Sequence, residues 1–128
     1  MNKTLLIAAA CLGALAVALG AFGAHGLRDR VSEHVSNIFE TAVRYQFYHV
    51  FALLAAGILF QWYNNAWLLW SGRLVIAGII LFCGSLYALT YFLANENESM
   101  KWLGAITPFG GLCFIAGWIC MAVGIFKI

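Results

Sequence analysis

The stretch Leu5–Ala24, LLIAAACLGALAVALGAFGA, is twenty consecutive residues without a charge. A helix of that length rises about 30 Å, the thickness of a bilayer's hydrocarbon core. Lys3 before it and small residues at its end give it the outline of a secretory signal. Its apolar run exceeds the roughly 7–15 residues of such a segment, and three more runs follow, so an uncleaved span is expected. The second begins as an amphipathic helix near Asn37 and turns fully apolar over Val50–Phe60. Leu74–Ala94 and Trp102–Phe126 are the third and fourth. None alternates with the period of a transmembrane β-strand, and only helices satisfy their own backbone in lipid. The reading is an all-α integral membrane four-helix bundle, one domain over residues 1–128, with spans at about 5–25, 39–61, 73–94 and 102–126.

Composition excludes the main soluble classes. Of 128 residues, 9% are charged and 64% hydrophobic, whereas charged residues make up about 25% of a soluble domain. Cys11, Cys83, Cys113 and Cys120 lie inside apolar runs, not in a disulfide framework. Seven Lys and Arg, scattered singly or in pairs, form no basic stripe, so nucleic acid is not an expected partner and membrane lipids are. With four spans, Lys3, Arg73 and Lys127 fall on the side of the termini. Arg28, Arg30 and Lys101 fall on the other, with the acids Asp29, Glu33, Glu40, Glu96 and Glu98. This near balance leaves a lean towards both termini in the cytoplasm. Trp62, Trp67, Trp70 and Trp102 flank the breaks, where an indole favours the interface.

Small residues repeat at 3,4 spacing in two spans. The first span has Ala9, Gly13, Ala16, Gly20 and Gly23; the fourth has Gly110, Cys113, Gly117, Cys120 and Gly124. Such stripes let helices approach closely, within the bundle or in a homo-oligomer. The third span has a shorter version in Ala77, Gly84 and Ala88. With no Cys-x-x-Cys pair, the cysteines read as small apolar residues and not as metal ligands. Pro108, the only proline, sits in Ile106-Thr107-Pro108-Phe109-Gly110-Gly111. The following glycines favour a kink or broken turn there over a first-turn position, where the proline would cost nothing.

The second span carries the polar chemistry. At about 100° per residue, Glu40, Arg44, Tyr48, Thr41, Tyr45 and His49 sweep one half of the helix, leaving Val43, Phe47, Val50, Leu53 and Leu54 for the other. The polar half is expected to look into the bundle, with Glu40 and Arg44 in the favourable order for an i,i+4 ion pair. Alternating helix directions bring His25, Tyr87, Thr90, Tyr91 and Thr107 to the same half of the bundle. The candidate cluster is therefore His25, Glu40, Arg44, Tyr45, Tyr48, His49, Tyr87 and Thr107. It can lock the helices through hydrogen bonds, or bind a small or lipid ligand. His25, His49 and Glu40 make a weak metal set, because the histidines lack helical ligand spacing. No nucleophile has an adjacent base, so neither catalysis nor a cofactor is expected. His34 reads as a solvated loop residue. One-sided polarity argues against a through-pore; a small oligomeric transporter or proton-coupled carrier stands as the alternative.

Gly20-Ala21-Phe22-Gly23-Ala24-His25-Gly26-Leu27, Glu40-Thr41-Ala42-Val43-Arg44-Tyr45-Gln46-Phe47-Tyr48-His49, Gly84-Ser85-Leu86-Tyr87 and the Pro108 segment resemble the YgdD/YwdK-like family. These are small bacterial inner-membrane proteins with relatives among animal mitochondrial membrane proteins. The resemblance covers almost the whole chain and implies a four-helix, multi-pass inner-membrane protein. The family is classed as a domain of unknown function, so no reaction follows.

Overall fold

The computed structural model describes residues 2–128, in which the four runs become four long helices: α1 (Lys3–Leu27), α2 (Glu33–Trp62), α3 (Ala66–Ala94) and α4 (Glu98–Phe126). Each extends beyond its apolar run. Asn2, Ser32 and Asn65 explain three of the starts, since their side-chain oxygens accept the N–H of Leu5, Val35 and Leu68 at 3.1, 3.3 and 3.0 Å. Such caps satisfy first-turn donors that hydropathy does not register. The remaining connections are short, so consecutive helices run antiparallel.

Pro108 lies in a first turn, not at a kink within a continuous helix. Glu98–Ala105 is a 3₁₀ segment, and α-helical hydrogen bonding begins only with Thr107–Phe126. The proline's missing N–H therefore removes no bond.

α1 packs on α2 and α3 packs on α4, while α2 is the bridge between the two pairs. The α1 stripe lies against α2. Ala9 and Ala16 are wholly buried, and a Cβ on Gly13, Gly20 or Gly23 would meet Val50, Val43 or Phe39 at 3.4, 3.5 or 2.8 Å. The α4 stripe needs adjustment. Its glycines do face α3, but the residues buried between them are Phe114 and Met121, with Cys113 and Cys120 only half-buried at the edge.

Gly84 packs against nothing: no heavy atom lies within 4 Å of where its Cβ would stand. The close approaches on α3 are instead Gly72, facing Leu5, and Gly78, facing Phe114. The cause is a π-helical turn over Ile79–Cys83. A π-bulge inserts one residue into the helical repeat, so a stripe phased through Ala77 and Gly84 loses register midway. The same turn pushes the Phe82 backbone towards α4, where Gly110 receives it; a Cβ there would stand 2.7 Å from Phe82 Cα.

Candidate functional site

The face that α2 buries is set by Ala42, Gln46, His49, Leu53 and Ala56, spaced 4,3,4,3. It is rotated roughly 120° from the polar half that the charges suggest, at about 100° per residue. Val50 and Leu53, expected to face lipid, are buried, and Glu40, Arg44 and Tyr48 are exposed. The physical reason is that small and uncharged residues allow close packing, while charged side chains near a helix end can reach outward to the headgroups.

Gln46, which a charge-led reading passes over, is the hub. Its Nε2 donates to the Leu12 carbonyl of α1 at 2.8 Å, and its Oε1 accepts the Tyr87 hydroxyl of α3 at 2.7 Å. His49 makes the link to α4. Its Nδ1 donates to the Tyr45 carbonyl at 2.7 Å, which leaves Nε2 to accept the indole N–H of Trp118 at 3.0 Å. That pairing assigns the neutral imidazole tautomer. The ring also stacks on Phe114, centroids 3.5 Å apart and 12° from parallel. Tyr45 flanks this stack, packed on Phe82 at 4.7 Å.

Further bonds tie α3 to α4. Ser85 donates to the Phe82 carbonyl at 2.9 Å, so the Thr107 hydroxyl donates to Ser85 at 2.6 Å. Ser71, which hydropathy places in a polar break, is wholly buried in α3 and donates to the Gly117 carbonyl at 2.8 Å. Asn65 reaches the Gly124 carbonyl at 3.3 Å. Polar contacts thus occur in both halves of the bundle, and among the described residues no buried side-chain polar atom lacks a partner. A signal for Gln46 exists in the sequence: it is an uncharged amide, three residues before His49 and four after Ala42. Nothing local marks Trp118, whose indole resembles any interfacial tryptophan.

The other candidates stand apart. His25 is exposed on a π-turn over Gly23–Leu27, Thr90 donates to the Leu86 carbonyl of its own helix at 2.8 Å, and Tyr91 is exposed. His25, Arg44 and His49 do not converge: one is buried and bonded, the other two face outward. Nor do Glu40 and Arg44 pair, since the single ion pair among the described residues is Lys101–Glu98 at 3.6 Å. Glu40 and Arg44 instead line one groove of about 230 Å³ between α1 and α2, with Gly20, Gly23, Ala24, Phe39 and Val43. Among the described residues, no three His, Cys, Asp or Glu side chains come together as a metal site.

The family described as Protein of unknown function (DUF423) matches residues 19–111, from the glycines of α1 through Gln46, His49 and the Ser85–Thr107 contact to Gly110. The chain belongs to the DUF423 family. Similar chains include a UPF0382 membrane protein of Staphylococcus aureus (strain bovine RF122 / ET3-1), 42% identical over 125 residues, 98% of this chain and 97% of that protein. A UPF0382 membrane protein of Staphylococcus saprophyticus is 40% identical over 126 residues, 98% of this chain and 99% of that one. No solved structure matches. This DUF423 protein is a small multi-span membrane protein of a family of unknown function.

His49→Phe removes both bonds of the ring, the one within α2 to the Tyr45 carbonyl and the one to Trp118 of α4. The ring stack on Phe114 survives, but the Trp118 indole loses its acceptor, and the bundle is expected to lose about 1 kcal/mol. Resonance Raman of the indole N–H checks it; an unchanged tryptophan signal with unchanged stability would contradict the α2–α4 link.

Proposed function

We propose that this is a non-enzymatic, multi-pass protein of the bacterial inner membrane with both termini cytoplasmic, in which α2 has two separate tasks. Its inner face, through Gln46 and His49, locks the four helices. Its outer face, at the α1–α2 groove, binds a small or lipid ligand through Glu40 and Arg44. The carrying observation is the contrast between neighbouring turns of one helix. Gln46 and His49 are each bonded on two sides, while Glu40 and Arg44, only one turn apart, form no ion pair. Groups placed for structure alone would be expected to pair. A coupled carrier has less support, because the inward polar groups are engaged with one another and with backbone. The flanking cations are balanced, Lys3, Arg73 and Lys127 at one end against Arg28, Arg30 and Lys101 at the other, so the orientation is left to the labelling experiment below.

Stability of paired variants tests the division. Arg44→Ala is expected to stay within about 0.5 kcal/mol of the parent in detergent, as exposed substitutions do, whereas Gln46→Ala is strongly destabilising. Comparable losses at both positions would refute it. For orientation, a cysteine replacing Asn97 in an otherwise cysteine-free chain should react with a membrane-impermeant maleimide on intact spheroplasts, and one replacing Asn64 should not. The reverse pattern would overturn the assignment.

A further inference from the structure

Resting on the ligand site just proposed, we infer that the α1–α2 groove binds the headgroup of a zwitterionic aminophospholipid, with the phosphate on Arg44 and the ammonium on Glu40. Three observations converge. The first is depth. Trp62 ends α2 at one interface, and at about 1.5 Å per residue Arg44 lies about 27 Å from it and Glu40 about 33 Å. A hydrocarbon core of about 30 Å therefore ends between them. In a phospholipid the phosphate adjoins the glycerol, nearer the hydrocarbon, and the amine caps the headgroup on the water side. The cation and the anion of the groove stand in that same order.

The second is charge. Glu40 also borders the adjoining polar pocket with Arg28, Asp29, Glu33, Ser36 and Asn37, so three carboxylates and one guanidinium surround the outer end. That field suits an ammonium and opposes a purely anionic lipid, whose sites are built from clustered Lys and Arg. The third is shape. Gly23 is covered by Phe39, but the partly exposed Gly20 and the exposed Ala24 present no side chain longer than a methyl, so the wall beside Arg44 is low enough for a glycerol backbone to lie against α1. Guanidinium to phosphate and ammonium to carboxylate are the charge-assisted pairs that both residues lack within the protein.

The test is native mass spectrometry of the full chain released from nanodiscs holding equal parts phosphatidylethanolamine, phosphatidylcholine and phosphatidylglycerol. Phosphatidylethanolamine should be retained roughly tenfold over the other two, because only its ammonium has N–H donors for Glu40 and only the anionic lipid lacks a cation. Glu40→Gln should erase the preference for ethanolamine over choline. The double swap Glu40→Arg with Arg44→Glu keeps net charge and exposure but inverts the order along the groove, and should abolish selective retention. Equal retention of all three lipids, preference for phosphatidylglycerol, or indifference to the swap would each overturn the aminophospholipid assignment while leaving a ligand groove standing. No phospholipid retained by the parent chain, with Arg44→Ala and Glu40→Gln unaltered, would instead remove the groove as a lipid site.

Discussion

Gly110→Ala is expected to separate α3 from α4 and to be the most damaging methyl that can be added to this protein. The added carbon would stand 2.7 Å from Phe82 Cα, and closer still to the Phe82 backbone nitrogen. Backbone cannot rotate away as a side chain can. At Gly23 and Gly124 the obstructing atoms belong to Phe39 and Leu68, which can shift by tenths of an ångström. At Gly110 the helices themselves must part, and the Thr107–Ser85 bond at 2.6 Å, about one turn away, would stretch with them. Overpacking of a rigid contact costs typically 1–3 kcal/mol and more where relief needs backbone motion, so a loss of about 3 kcal/mol or more is expected. Unfolding with sodium dodecyl sulfate, followed by far-ultraviolet circular dichroism, measures it. Gly84→Ala is the internal control: its Cβ enters open space, and alanine should be neutral or stabilising by up to about 1 kcal/mol in a helix. Equal stability of the two variants would show that the π-turn does not press Phe82 against α4.

Gln46→Ala is expected to rank next. The side chain is 1% exposed and binds two helices at once. Truncation leaves a void and strands the Tyr87 hydroxyl beside it, for an expected loss of about 2–4 kcal/mol. Gln46→Met fills the volume without the bonds and should cost only about 1–2 kcal/mol, since hydrogen bonds between membrane helices average well under that of a fully desolvated pair. A double-mutant cycle with Tyr87→Phe should then show a coupling of about 0.5–1.5 kcal/mol. Additive losses would mean that the two side chains are neighbours without being partners.

These two positions also mark how far the amino-acid sequence alone specifies the bundle. The four spans are legible because long apolar runs have few solutions in a bilayer, and the α1 stripe because an unbroken α-helix keeps its phase from Ala9 to Gly20. Gly110 reads as a packing position, but its opposite number does not show. The π-turn at Ile79–Cys83 leaves no compositional trace, and it moves the α3 contacts from Gly84 to Gly72 and Gly78. On α2, Glu40 and Arg44 stand out by their charge, yet they face away from the bundle. Expecting charges in a span to hide among helices neglects how close the thirty-residue helix brings them to the headgroups. Gln46 escapes notice for the complementary reason: an amide draws less attention than a charge, although an amide can be satisfied deep inside and a charge only at greater cost.

The pairing of α1 with α2 and of α3 with α4 bears on how the chain is made. Each helix finds its main partner in the segment synthesised immediately before or after it, so two hairpins can close across short loops, at little entropic cost, while the ribosome is still at work. The bond from Tyr87 to Gln46 can form once α3 has joined the first hairpin, and the bond from Trp118 to His49 only when α4 has followed. Each closes in the order in which its helices are made, and both add polar bonds across helices that α2 already packs together.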